Sequence, residues 1–151
     1  MPPINDKILV NFRDVRRALE ELPTRVVKNV VRRAVYAGAA KIRDVAKGKV
    51  PVDTGALRAS IIASTNKAQK TGEISASVGV ARKKFVRGRR AGRNPRRYAH
   101  LVEFGTARTS ANPFLRPALD TQVDEVLEVT AARMRTGIDD EARRVARRAG
   151  R

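Results

Sequence analysis

Apolar residues return at helical spacing through most of this chain, and at a spacing of two in one short stretch. Between Thr24 and Gly48, the positions Val27, Val31, Ala34, Val35, Gly38, Ile42 and Val45 recur at intervals of three, four and seven. Arg25, Lys28, Arg32, Arg33, Lys41 and Arg43 occupy the other faces. This predicts a long amphipathic helix capped by Thr24, with Gly48 and then Pro51 to stop it. Gly38, set among Ala37, Ala39 and Ala40, lets another element approach closely. A shorter helix is predicted from an Asp14 N-cap through Leu22, ending near Pro23, and a first strand within Ile4 to Asn11. Leu57 to Ala63 and Glu73 to Val80 read as the two arms of a hairpin around the polar stretch Asn66 to Gly72. In the second arm Ile74, Ala76, Val78 and Val80 alternate with Ser75, Ser77 and Gly79. Tyr98 to Phe104 fits a short helix or extended segment with Tyr98, Leu101 and Val102 inward. Asn112 or Pro113 opens a C-terminal helix with Leu115, Leu119, Val123, Val126, Leu127, Thr130 and Met134 along one face. Residues 139–151 continue it as a basic, Ala-rich end that frays. The order predicts one α+β domain over residues 1–151: a small antiparallel sheet covered by a long N-terminal and a C-terminal helix.

Composition sharpens this picture. Aromatics are 4% of the chain, with no Trp, so the core is built from small aliphatics. There is no Cys, which excludes disulfides and thiolate metal sites. No apolar run approaches the ~20 residues of a membrane span, and Met1 to Val10 lacks a signal-peptide layout. The expectation is a soluble, unexported chain that uses no membrane. The net charge of +18 attracts polyanions over long distances: nucleic acid, anionic lipid or an acidic protein face. Its densest block is Arg82, Lys83, Lys84, Arg87, Arg89, Arg90, Arg93, Arg96 and Arg97, with no acid between them. Gly88, Gly92 and Pro95 break any helix there, so 82–97 reads as a flexible basic loop for DNA or for an acidic partner. With Phe85 and Tyr98 the only aromatics nearby, nothing builds a base-stacking platform.

Candidate chemistry is sparse. Asp53-Thr54-Gly55 also marks aspartic proteases, where two such loops share a proton. One copy would have to dimerise, and the helical periods on either side do not suit that all-strand fold. The simpler reading is a structural turn in which Asp53 and Thr54 bond nearby amides and Gly55 takes positive φ. His100 and Glu103 at i, i+3 are two metal donors without a third, so no metal, cofactor or catalytic site is expected. Glu103 is expected instead in an ion pair with Arg108, Arg116 or a neighbouring subunit's arginine. No Gly-rich phosphate cradle is present.

Four segments in order carry a resemblance. They are Pro51 to Ile61 (PVDTGALRASI), Val78-Gly79, Tyr98 to Thr106 (YAHLVEFGT) and Pro113 to Leu119 (PFLRPAL). Together they resemble the gene-product-ten-like minor tail components of long-tailed phages, across a span from Val27 to the helix after Leu119. The resemblance implies a tail-terminator-like fold and a virion structural protein at the head–tail junction, assembled in the host cytoplasm. It further implies a homo-oligomeric ring, commonly a hexamer, which joins the tail tube to the head connector or stopper and passes DNA through its lumen without sequence specificity. Such a protein is not an enzyme. The runner-up is a basic nucleic-acid-binding or packaging protein. Under the ring reading, Glu103, Phe104, Phe114, Leu115 and Arg116 are expected at the partner or subunit interface. Phe114 and Leu115 would be the anchors, so that Phe114→Ala leaves the monomer folded and weakens assembly.

Overall fold

A computed structural model describes residues 14–20, 23–53, 55–66, 73–81 and 94–149. The expected first strand at Ile4 to Asn11, the hairpin tip at 67–72 and the basic block from Arg82 to Arg93 lie outside the described residues. Helix α1 covers residues 14–20 and α2 Thr24–Lys49; α3 (Ala56–Ser60) leads into β1 (Ile61–Thr65), and β2 is Ala76–Val80. Then follow α4 (Pro95–Phe104), α5 (Leu115–Asp120) and α6 (Val123–Ala149). The class is α+β, with a two-stranded antiparallel sheet that follows the N-terminal helices in the chain and precedes the C-terminal ones.

The described residues fall into two compact units, each with its own apolar cluster. In the first, Val15 of α1, Ala34 of α2 and Met134 of α6 are buried together, with Leu19, Val31 and Ile138 packed around them. The helices approach closely here because glycine allows it. A Cβ on Gly38 would stand 2.5 Å from Thr130 Oγ1 and 3.0 Å from Val126 Cγ1; one on Gly137 would stand 2.8 Å from Val30 Cγ1. Thr130 is buried and its β-branched side chain has few rotamers to escape into. Gly38→Ala is therefore expected to lower stability by about 1–2 kcal/mol despite alanine's better helix propensity. Thr130→Ala in the same chain should recover part of that loss, as thermal melts of the double-mutant cycle would show.

In the second unit, Ala46 near the end of α2 and Val50 just after it meet Leu57, Ile61, Ala99, Phe114 and Ala118. Val78 and Val80 pack onto this cluster from β2, and Tyr98 and Val102 from α4. The strand register is fixed by Ala81 N–H donating to Ser60 O (2.9 Å), by Asn66 N–H donating to Ser75 O (3.1 Å) and by the Ser64–Ser77 hydroxyl pair (3.0 Å).

Four expectations change. The segment from Leu57 does not start as a strand. Gly55, at φ 74°, begins a helical turn of good helix formers, Ser60 Oγ closes it on Leu57 O (2.7 Å), and only the β-branched Ile61 and Ile62 turn it into a strand. Helix α2 runs through Gly48 to Lys49 and stops only before Pro51. Pro95 does not break a helix but opens α4 at its first turn, where its missing N–H costs nothing, so Arg96 and Arg97 are helical. The C-terminal helix is two helices, split where Thr121 Oγ1 turns back to donate to Pro117 O at 2.7 Å.

Candidate functional site

The sequence-predicted interface residues converge on one structure, the join of α4 to α5. Gly105 ends α4 with φ 75° and ψ −175°, a conformation open to glycine. A Cβ there would also stand 2.7 Å from Ala111 N and 2.9 Å from Thr109 O. Beyond it the chain makes a tight turn, with Thr106 N–H donating to Thr109 O at 2.9 Å and Arg108 N–H donating to Thr106 Oγ1 at 3.2 Å. Asn112 N–H then returns to Val102 O at 2.8 Å.

This return sets α5 against the end of α4, where Glu103 completes the join. Its Oε2 accepts from Phe114 N–H (2.8 Å) and Leu115 N–H (3.0 Å), and its Oε1 accepts from Arg116 N–H (3.0 Å). A helix start leaves such amides without internal partners. The residue at the cap position of α5 is Phe114, which has no group to cap with, and the third helical position is Pro117, which has no N–H. One carboxylate, 11 to 13 residues back in sequence, thus serves every donor at that helix start. Burial pushes the Glu103 carboxyl up. The amides of Leu115, Phe114 and Arg116, joined by the Arg116 charge, outweigh it and hold the group below its ordinary value.

The structure separates the predicted interface residues. Phe114 is wholly buried in the chain's own core, so it is not free to enter a partner's pocket, and Phe114→Ala is expected to weaken the fold itself. Leu115 is part-buried against the same core, and Arg116 is exposed. Glu103 acts within its own chain as a helix cap, and the Arg116 charge, one of the expected partners, adds to its stabilisation. Phe104, by contrast, is 76% exposed. Leu101, expected inward, is 42% exposed one turn earlier, while Ala99 and Glu103 take the inner face with Tyr98 and Val102. Arg97 and His100 are exposed with them, so the outer face of α4 is Arg97, His100, Leu101 and Phe104.

Of the expected basic contact residues, Arg96 and Arg97 lie exposed in the first turn of α4. Arg82, Lys83, Lys84, Arg87, Arg89, Arg90 and Arg93 lie outside the described residues. In the expected turn, Gly55 does take positive φ, Thr54 lies outside the described residues, and Asp53 is exposed with no side-chain bond to another described residue. Among the described residues no group of three His, Cys, Asp or Glu side chains could hold a metal, and no helix is long and apolar enough to cross a membrane.

A family model described as "Bacteriophage HK97-gp10, putative tail-component" matches residues 13–105. The chain belongs to the HK97-gp10-like family. No curated protein and no solved structure matches it. The HK97-gp10-like match is shorter at its end than the sequence resemblance and stops at Gly105, the glycine that closes α4. It therefore contains Glu103 but not the three amides that Glu103 binds. Membership makes the chain a component of the phage tail family and points to the virion as its place.

Proposed function

We propose that this chain is a structural protein of the phage head–tail junction, of the tail-completion or tail-terminator type. Copies of it form a ring, commonly a hexamer, that joins the tail tube to the head connector and leaves a lumen for DNA. Residues 1–151 act as one functional domain, assembled in the host cytoplasm, and catalyse no reaction. Beyond family membership, one observation carries the reading: Phe104 stands out from a helix whose end is fixed by Gly105 and Glu103. An aromatic held rigid and bare is the kind of group that anchors an interface. A net charge of +18 suits a wall along which DNA slides without being read.

The test is mass by light scattering on nuclease-treated protein, with and without the matching tail tube. A closed ring, alone or on the tube, is expected. Phe104→Ser should change stability by no more than about 0.5 kcal/mol, as exposed positions do, yet abolish the ring. Wild-type assembly by that variant would remove Phe104 from the interface. A second reading, nucleic-acid packaging, draws on the end of α6, where Arg143, Arg144 and Arg147 are all exposed. A monomer that ignores tubes and binds free duplex with a steep salt slope would favour it.

A further inference from the structure

Charge is segregated along this chain. From Pro117 to Ala132 it carries Asp120, Asp124, Glu125 and Glu128 and no Lys or Arg, in a protein of net charge +18. All four acids are exposed. Asp124 and Glu128 lie about 40° apart around α6, with Glu125 beside them and the part-exposed Leu127 flanking. Asp124 and Glu125 suit the positive end of the helix dipole, but Glu128 lies a turn further on, where that field has faded. Neither Asp124 nor Glu128 pairs with a cation among the described residues.

The outer face of α4 is the complement. The one acid of that helix, Glu103, is buried and engaged, so the surface offers Leu101 and Phe104 with Arg97 beside them and Arg108 just beyond. A nucleic-acid backbone would use the arginines and leave the apolar pair uncovered. An acidic helix start bearing an apolar side chain would use both.

We propose that the outer face of α4 in one copy docks on the acidic start of α6 in the next copy. The proposal rests on the ring reading and names its contact. Because the two faces differ, the contact is heterologous and repeats head to tail, which closes into a ring when the rotation allows.

A charge-exchange cycle on the nuclease-treated protein, alone and on tail tubes, tests it by light scattering. Arg97→Glu and Glu128→Arg should each weaken assembly at least tenfold, and the two together should restore most of it. Circular dichroism should show each variant folded, since both sites are exposed. The chain lacks Cys, so Leu101→Cys with Asp124→Cys gives a second reading: a bifunctional maleimide should link copies into a ladder. A wild-type ring that survives both single reversals and yields no ladder overturns this contact and leaves the ring reading standing. Wild-type protein that stays monomeric alone and on tubes overturns both.

Discussion

Phe114→Ala is expected to cost about 3–5 kcal/mol, the range for truncating a buried aromatic. Phe114 and Ile61 are the largest fully buried side chains described. Phe114 sits where the end of α2, α3, β1, α4 and α5 meet, so no single neighbour can move to fill the space it leaves. Domains of ordinary stability hold only about 5–15 kcal/mol in reserve, so much of that reserve would go. Urea unfolding with a sharply lower midpoint and an unchanged slope would bear this out. An unfolding free energy within about 1 kcal/mol of wild type would mean that the core collapses onto the gap more freely than close packing allows. Phe114→Leu, which keeps most of the volume, should lose far less. The contrast with Phe104→Ser separates folding from assembly: one phenylalanine is a keystone of the interior, the other is bare.

Glu103→Gln is the second large effect. The amide keeps one oxygen and replaces the other with an NH2 group that faces a backbone N–H, donor against donor. At least one amide at the start of α5 is then buried without an acceptor, and the remaining bonds lose their charge. Bonds to a charged partner contribute about 1.5–3 kcal/mol each, so a loss of about 3 kcal/mol is expected, or roughly 6–12 °C in the melting temperature for a chain this long. The pH dependence has a definite sign. The folded carboxyl lies below its ordinary value of 4.5, so its contribution is whole above that value and disappears as pH falls through the lower, folded one. Wild-type melting temperature should therefore fall on acidification below pH 4.5, and the part owed to this group should be missing from Glu103→Gln. Parallel pH profiles for the two proteins would dismiss the carboxylate as the source.

Much of the fold was legible because periodicity is local. The seam of α2, the close approach at Gly38 and the turn at Gly55 each follow from a few adjacent residues. The buried seam is wider than the stripe of larger side chains: Val30, Ala39 and Ala46 are buried too, because small or shifted positions widen it. Leu101 faces outward for a related reason. A helix of 10 residues with apolar side chains on two faces does not say which face is inward, and the packing of Ala99 and Tyr98 decided it. The Glu103 cap was the least visible feature, since donor and acceptor lie more than a helical turn apart in sequence. A signal did exist: Phe-Leu-Arg-Pro opens a helix with no capping side chain of its own, and Glu103 is the one acid in an otherwise small or apolar inner face.

The borrowed cap has a consequence for how this region opens. Helix α5 has six residues, too few to persist alone, and its terminal amides are satisfied by a different helix. It therefore cannot fray independently: α4 and α5 form a single cooperative opening unit, bolted by one carboxylate. Replacing Glu103 is therefore expected to raise hydrogen exchange at the Phe114, Leu115 and Arg116 amides and at the end of α4 together, rather than at α5 alone.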